Sequence, residues 1–319
     1  MLSLNEYSSL AGKIMADLVL PQQPEGLYAP VRYTLDGGGK RLRPVLVLAS
    51  ADAFGAGRDA AVMQAAGIEM FHNFTLLHDD VMDRADVRRN RPTVHRKWNE
   101  ATAILSGDAM LTLASIIITR NCDDTRFRAV SDLFNRTAME IYEGQQLDMD
   151  FESRTDVTIS EYMEMIRLKT SVLLGCAAAL GAIMSGAPDK SVNAIYAYGE
   201  KLGLAFQLRD DYLDTYGSAE TFGKEIGGDI RNDKKTWLLI NALAEDTSGE
   251  ISRQLSEPTP DKFERVRGVY DALNLPARCL SLIERYATEA IGELDAAGLS
   301  DEAVEFFTSL AMKTVNRNH

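Results

Sequence analysis

The sequence AAVMQAAGIEMFHNFTLLHDDVMD, residues 60–83, places apolar or small side chains at helical spacing over about six turns. This pattern predicts a long, largely buried helix that ends in three aspartates, Asp79, Asp80 and Asp83, in the arrangement DDxxD. Residues one and four apart on a helix point within about 140° of each other, so the three carboxylates share one face. Three acids at the end of an apolar helix predict a cation site.

A second DDxxD arrangement lies far along the chain, in QLRDDYLD, and comprises Asp210, Asp211 and Asp214. Three carboxylates this close repel one another unless cations neutralise them. Oxygen ligands suit Mg²⁺ when a diphosphate supplies the remaining ligands. One such cluster is equally typical of a solvated acidic helix face, whereas two identical clusters flanked by apolar helix favour a metal site.

Helical periodicity extends over most of the remaining sequence, and alternating strand patterns are scarce. The sequence therefore predicts an all-α protein in which residues 1–319 form a single domain, a bundle of long helices. The other segments with this periodicity are 44–54, 101–120, 127–151, 160–184, 190–216 and 234–245. The part beyond residue 245 is more polar and indicates little.

Composition and charge exclude several classes of protein. The formal net charge of −13 argues against nucleic-acid binding and against docking on anionic lipid. Three scattered cysteines, Cys122, Cys176 and Cys279, predict free thiols in a reducing, cytoplasmic compartment. No apolar run approaches the roughly 18 to 20 residues of a membrane span, so we expect no stable membrane insertion.

Basic residues near two loops indicate a polyanionic ligand. GGGKRLRP places Lys40, Arg41 and Arg43 after three glycines and before a predicted helix, where backbone amides and cations can hold phosphate. Arg88 and Arg89 follow the first DDxxD arrangement, and adjacent arginines offer bidentate contacts to phosphate oxygens. Each signal alone is also typical of a solvated basic loop.

Several single polar residues lie near helix ends or near the acidic clusters. Each alone is more typical of a surface lysine or of a hydrogen-bonded core group, so their value depends on the surrounding motifs. They are His72, Lys169, Thr170, Gln207, Lys224 and Lys234.

Taken in order, GGGKRLRP, LLHDDVMDRADVRRNRPTVH, KT, FQLRDDYLDTYG and GKEIGGDIRNDKKT resemble the trans-isoprenyl diphosphate synthases, also called polyprenyl synthetases. This family includes farnesyl and geranylgeranyl diphosphate synthases, and the resemblance covers about residues 30–245. It implies a homodimeric isoprenoid synthase fold, with long helices around a central cavity. It also implies magnesium-dependent, head-to-tail condensation of isopentenyl diphosphate with an allylic diphosphate.

The resemblance assigns roles to individual residues. About three Mg²⁺ ions per active site would be ligated by Asp79, Asp83 and Asp210, with Asp80, Asp211 and Asp214 in support. The isopentenyl diphosphate would be bound by Lys40, Arg43, His72 and Arg89. The allylic diphosphate would be bound by Arg88, Lys169, Gln207, Lys224 and Lys234. Thr170 and Gln207 would flank the reacting carbons, and Gln145 and Asp148 match the family's GQxxD element. The one departure is Asn90, where the family usually has glycine, and asparagine can adopt the same left-handed turn.

Product length is predicted from the residues that precede Asp79. Phe74 is bulky, Thr75 is small, and Phe71 lies about one turn deeper. An aromatic stop at Phe74 or Phe71 predicts a C15 to C20 product, with C20 slightly favoured. The alternative is that both phenylalanines serve only core packing.

Two other functions are weighed against the synthase. A class I terpene cyclase shares the helical fold but usually replaces the second acidic motif and lacks GGGKRLRP. A non-catalytic subunit of a heteromeric synthase typically loses an acidic motif, and both are intact here.

Overall fold

The computed structural model describes residues 1–217 and 226–316, and these residues are helical over most of their length. The predicted all-α class is confirmed. The helices are α1 (Leu4–Ala16), α2 (Glu25–Leu35), α3 (Leu42–Ala53), α4 (Val62–Met82), α5 (Val94–Lys97), α6 (Glu100–Ile118), α7 (Asp124–Ser153), α8 (Ile159–Ile166), α9 (Val172–Met184), α10 (Asp189–Tyr216), α11 (Gly228–Arg231), α12 (Trp237–Glu245), α13 (Glu250–Ser256), α14 (Lys262–Ala272), α15 (Leu275–Ala297) and α16 (Asp301–Val315).

Two short strands, β1 (Val87–Arg88) and β2 (Arg91–Pro92), form an antiparallel hairpin directly after α4. Arg88 pairs with Arg91, so the connection is the two residues Arg89 and Asn90. Both have left-handed backbone, with φ of 52° and 58°. Two-residue hairpin turns with positive φ at both positions match the twist of the strands. The predicted left-handed conformation of Asn90 is therefore confirmed.

The chain divides into two compact units, each assembled from separate stretches of sequence. Unit 1 comprises Met1–Asn135, Cys176–Tyr196 and Ala297–Phe306, and unit 2 comprises Arg136–Gly175, Ala197–Ala296 and Phe307–His319. The single-domain organisation of residues 1–319 stays a prediction.

In unit 1, α4 and α6 run antiparallel in close contact through glycines. A Cβ atom added at Gly67, near the start of α4, would lie 2.7 Å from the Cβ of Ile118 at the end of α6. At the other end of α4, the ring of His78 lies against Gly107, and its Nε2 atom is 3.1 Å from the carbonyl oxygen of Ile104. Small residues let the two helices approach, and this contact fixes the direction in which α4 presents its acidic end.

In unit 2, the helix predicted over 160–184 is interrupted by a π-helical turn, Arg167–Ser171, between α8 and α9. Glycines in α7 and α10 allow these two helices to approach the π-turn closely. A Cβ at Gly144 would meet the backbone nitrogen of Lys169, and a Cβ at Gly203 would lie 2.5 Å from the Cα of Ser171. Single π-turns inside α-helices occur frequently at functional sites. This one carries the predicted pair Lys169 and Thr170.

The polar C-terminal part of the chain, for which the sequence indicates little, forms α13 to α16 in the structure. Apolar residues spaced along these helices supply much of the core of unit 2. Among them, Ile251, Leu275 and Ile283 are fully buried, and Val266 is nearly so. The polar composition of this part of the sequence therefore conceals amphipathic helices, each of which buries one apolar stripe.

Two stretches, Glu100–Ile118 and Ile159–Met184, are helices long and apolar enough to cross a membrane by length and composition alone. The expectation that no such stretch exists is therefore too strict. The second stretch is 78% buried inside the protein, as core helices of water-soluble proteins are, and the first is 39% buried. One or two such helices are weak evidence for membrane insertion.

We predict that Gly67→Ala lowers the free energy of unfolding by about 1–3 kcal/mol, because the added methyl group overlaps Ile118 and the helices must separate. Gly12→Ala in α1 is the matched control. Nothing lies within 4 Å of a Cβ at Gly12, so alanine there is expected to stabilise by about 0.5–1 kcal/mol. Urea denaturation of both variants checks this, and equal effects would contradict the proposed contact.

Candidate functional site

The first acidic motif lies at the C-terminal end of α4, and its three aspartates differ in exposure. Asp83 caps the helix and is exposed, Asp79 is half-buried, and Asp80 is buried. Arg88 Nε donates to Asp80 Oδ1 at 2.7 Å. Burial raises the pKa of Asp80 above its ordinary value, and Arg88 opposes that shift. Asp80 thus orients Arg88, which was predicted to contact the allylic diphosphate.

The β1–β2 hairpin brings Arg89 to the glycine loop. Its guanidinium lies against Gly39, and Nη1 donates to the carbonyl oxygen of Gly38. A side chain at position 39 would meet this guanidinium, so glycine is required there for the contact. A cavity of about 40 Å³ adjoins Arg89 and is lined also by Asn73, Asp80 and Arg88, which leaves room for water beside the charged groups.

Arg43 and His72 meet in the same unit, where Arg43 Nη1 lies 3.1 Å from His72 Nε2. A guanidinium has only donors, so His72 Nε2 must be the acceptor and the imidazole is neutral. Burial lowers the pKa of His72 well below its ordinary value, and Arg43, Arg89, Arg88 and Arg41 lower it further. The positive charges around His72 therefore exclude another cation and favour an anion.

Burial lowers the pKa of Arg43 to about 10, and Arg89 shifts it in the same direction. The Arg43 Nε atom is buried and has no hydrogen-bond partner within residues 1–217 and 226–316. A buried cationic donor without an acceptor is costly. Three of the four residues predicted to bind isopentenyl diphosphate, Arg43, His72 and Arg89, thus lie in one electropositive cluster. Lys40 is exposed on the adjoining loop.

The second acidic motif lies near the end of α10 in unit 2. Asp211 is buried and accepts hydrogen bonds from Tyr162 Oη at 2.5 Å and from Gln207 Nε2 at 2.8 Å. Burial raises the pKa of Asp211, while Lys234 opposes the shift. Asp210 is half-buried beside it. Two donors therefore hold the Asp211 carboxylate in one orientation.

Asp214 completes the motif by binding backbone. Its Oδ2 accepts the N–H of Asp229 at 2.9 Å, at the start of α11, and its carbonyl oxygen accepts the N–H of Gly227 at 2.7 Å. Lys234 Nζ lies 3.9 Å from Asp229 Oδ1. Asp214 thus links the second motif to the segment that carries Lys234.

Lys169 and Thr170 of the π-turn connect to both α7 and α10. Lys169 Nζ lies 2.5 Å from Asp148 Oδ2, and Thr170 Oγ1 donates to Gln207 Oε1 at 3.0 Å. Burial opposes the ionisation of Asp148, yet Lys169 and Lys234 hold its pKa below the ordinary value. Gln145 lies half-buried on α7, one turn before Asp148. The structure therefore pairs Lys169 with Asp148 and Thr170 with Gln207, both within unit 2.

Two predicted features of the site, the contact of Lys224 and the metal ligands, are not tested in the same way. Lys224 lies outside the described residues, so its predicted contact stays a prediction. Over residues 1–217 and 226–316, no three His, Cys, Asp or Glu side chains stand together as a ready metal site. Carboxylate oxygens suit Mg²⁺, but here a substrate would have to supply part of the coordination.

The predicted chain-length residues lie in an aromatic cluster of unit 1. Phe71 is fully buried and Phe74 is 5% exposed, and their ring centroids are 5.5 Å apart. Phe134 packs edge-on against Phe71 at 5.1 Å. Thr75 Oγ1 donates to the carbonyl oxygen of His72 at 2.9 Å. These contacts serve packing in any case, and a role in setting product length stays a prediction.

Two residues of the site are missed by the sequence analysis. Tyr162 donates to Asp211, and Glu69, 2% exposed, pairs with Arg41 at 2.6 Å. For Glu69 a signal was available, because an acid inside the apolar run GIEMF needs a buried partner. For Tyr162 no pattern distinguishes it from other core tyrosines.

Comparison with known proteins yields a consistent set of similarities. Residues 24–273 match the family model described as "Polyprenyl synthetase". A geranylgeranyl diphosphate synthase of Methanosarcina mazei is 44% identical over 241 residues, which are 75% of this chain and 74% of that protein. One of Saccharolobus solfataricus is 39% identical over 289 residues, with 88% and 87% covered. A crystal structure of a geranylgeranyl pyrophosphate synthase matches with a TM-score of 0.95 at 43% identity, covering 99% of both chains.

We predict that His72 makes stability depend on pH. Its pKa is lowered in the folded protein, so below the unfolded value of about 6.5 the unfolded chain binds a proton that the folded chain does not. Stability should therefore fall as pH decreases from about 6.5. Chemical denaturation at pH 7.5 and 5.5 checks this. Between these two pH values, the free energy of unfolding of His72→Gln should fall by about 1 kcal/mol less than that of the wild type. Equal losses would contradict a neutral His72.

Proposed function

The chain belongs to the polyprenyl synthetase family, and on that basis we propose that it condenses isopentenyl diphosphate head-to-tail with an allylic diphosphate. The product is a short-chain all-trans prenyl diphosphate, which makes the protein a prenyltransferase. The observation that carries the proposal is the pairing, within unit 1, of an acidic helix end with an electropositive cluster. Asp80 contacts Arg88 at 2.7 Å, and Arg43 contacts His72 at 3.1 Å.

Magnesium is proposed to be held by Asp79, Asp83 and Asp210, with about three ions per active site. When bound, Mg²⁺ stabilises the negative charge that develops on a departing diphosphate. At the end of α4, Asp79 is half-buried, Asp83 is exposed, and buried Asp80 accepts a hydrogen bond from Arg88. Asp80 is therefore the carboxylate that positions Arg88, and Asp79 and Asp83 are the carboxylates proposed as metal ligands.

The allylic diphosphate is proposed to bind Arg88, Lys169, Lys224 and Lys234, with Gln207 beside it. Lys169 is held by Asp148 at 2.5 Å, and Thr170 by Gln207 at 3.0 Å, so both are oriented before any substrate arrives. Loss of the diphosphate leaves an allylic cation, which Thr170 and Gln207 flank. Apolar surroundings protect that cation from water.

The isopentenyl diphosphate is proposed to bind Lys40, Arg43, His72 and Arg89. Its double bond attacks the allylic cation, one carbon–carbon bond forms, and a proton leaves C2. The released diphosphate accepts that proton. His72 is unsuited to this task as a resting base in the cluster, because its Nε2 already accepts from Arg43.

A C15 to C20 product is proposed, with C20 favoured. The similarity to geranylgeranyl diphosphate synthases supports C20. The aromatic cluster around Phe71 and Phe74, on the helix that carries Asp79, is the proposed limit to chain growth.

Homodimerisation and a cytoplasmic location are also proposed. Helix α6 leaves apolar side chains exposed, with Ile104 at 43%, Leu105 at 59% and Ile116 at 49%, and a second copy would cover them. The three cysteines are free, which suits a reducing compartment.

Activity is tested by incubating the protein with isopentenyl and dimethylallyl diphosphates and Mg²⁺, followed by phosphatase treatment and chromatography. Linear prenyl alcohols are expected, whereas cyclic hydrocarbons or no product would contradict the proposal.

Asp79→Ala should reduce turnover by about three orders of magnitude or more, because a metal ligand is lost. Asp59→Ala, which removes an exposed aspartate elsewhere in unit 1, is the control and should leave turnover unchanged. Near-normal turnover of Asp79→Ala would sink the metal assignment.

Product length is tested with Phe74→Ala, which removes a buried ring and should yield products longer by at least one C5 unit. Phe127→Ala, in which the ring lost is 50% exposed, is the control and should leave the product unchanged. If Phe74→Ala makes the wild-type product, the stop does not lie at Phe74, and Phe71→Ala is the next variant to measure.

A further inference from the structure

Glu69 is a buried acid on α4 that has no role in the proposed chemistry. It is 2% exposed and lies in an otherwise apolar stretch. Arg41 Nη1 lies 2.6 Å from Glu69 Oε1, and the two side chains are 8% and 3% exposed. Asn73 Nδ2 donates to the same oxygen at 3.1 Å and to the carbonyl oxygen of Glu69 at 2.8 Å. Glu69 is thus fixed in place by two donors.

Arg41 extends this contact to the glycine loop. Its Nη2 donates to the carbonyl oxygen of Leu35 at 2.8 Å, at the end of α2. The Arg41 backbone is left-handed, with φ of 51°, immediately before α3. A non-glycine residue in this conformation is strained and persists only when its surroundings hold it. The pair of Arg41 and Glu69 therefore ties both ends of the loop 36–40 to α4.

Glu69 also acts on cations that it does not touch. Its charge raises the pKa of Arg43 and of Arg89, whereas burial and the charges of neighbouring arginines lower both. Like charges in desolvated surroundings repel strongly, so a cluster of arginines around a neutral His72 needs a nearby negative charge while no anion is bound. Glu69 supplies that charge to both Arg43 and Arg89, and Asp80 adds to it at Arg89.

We propose that Glu69 is a positioning residue for the diphosphate of isopentenyl diphosphate. Its carboxylate holds Arg41, and through Arg41 the glycine loop, in the binding geometry, and its charge keeps Arg43 and Arg89 together before the substrate arrives. The inference rests on the proposed function, in which Arg43, His72 and Arg89 bind this diphosphate.

A purely structural ion pair is the competing explanation, and unit 1 contains a matched example. Asp52 on α3 accepts from Arg58 Nη1 at 2.9 Å and from Tyr7 Oη at 2.6 Å, and none of the predicted substrate residues that the structure describes is among its partners. Loss of a structural pair lowers stability without changing the affinity for one substrate. Loss of a positioning residue changes the KM of the substrate that it serves.

The test is steady-state kinetics of Glu69→Gln, with Asp52→Asn as control. In Glu69→Gln, the KM for isopentenyl diphosphate should rise about 10-fold or more, while kcat and the KM for the allylic substrate change less than about 3-fold. In Asp52→Asn, both KM values should match the wild type even if the melting temperature falls. An unchanged KM for isopentenyl diphosphate in folded Glu69→Gln, or an equal rise in both KM values, would overturn the inference.

Arg41→Lys is the second variant, used if Glu69→Gln does not fold. Lysine keeps a charge beside Glu69 but cannot donate to Glu69 and Leu35 in the same fork, so the KM for isopentenyl diphosphate should rise several-fold. A wild-type KM in Arg41→Lys would count against the inference. Failure of the proposed function has a different signature, because the wild type itself would then make no linear prenyl product.

Discussion

Like charges repel strongly when they are removed from water, and this repulsion constrains which charged side chains can lie together in both units. Several predicted ligands have a partner within their own unit, which is either a side chain of opposite charge or a neutral hydrogen-bond donor. Arg88 is held by Asp80, Lys169 by Asp148, and Asp211 by Tyr162 and Gln207. The site is therefore assembled from compensated pairs, which limits the electrostatic destabilisation of the protein without substrate.

Two uncommon backbone features, a π-helical turn and a left-handed hairpin turn, position predicted ligands. The π-turn at Arg167–Ser171 sets Lys169 and Thr170, and the hairpin turn at Arg89 and Asn90 directs Arg89 onto the glycine loop. Left-handed backbone recurs at Arg41 and Arg89, where glycine would be less strained. Local strain of this kind is tolerated because surrounding contacts hold the backbone. Here Arg41 is held by Glu69 and the carbonyl oxygen of Leu35, and Arg89 by the carbonyl oxygen of Gly38.

The sequence predicted the parts of this arrangement that depend on local spacing. The DDxxD clusters, the GGGKRLRP loop and the long helices follow from periodicity and from residue type. The π-turn did not follow, because it depends on Gly144 and Gly203 in other helices. Tyr162 was missed for the same reason, since its role is defined by a partner distant in sequence. Glu69 carried a signal, an acid within an apolar run, but the sequence does not identify Arg41 as its partner. The amphipathic helices beyond residue 245 were obscured by their polar surfaces.

The contact between Lys169 and Asp148 at 2.5 Å has a consequence for discrimination among anions. A carboxylate already neutralises this ammonium group, so an arriving anion must offer more than one negative charge to displace it. Chloride, or a single carboxylate on a metabolite, gains little by the exchange, whereas a diphosphate offers the lysine several negative charges. The charge of Lys234 still compensates Asp148. An internal competitor of this kind keeps abundant monovalent anions from occupying the lysine.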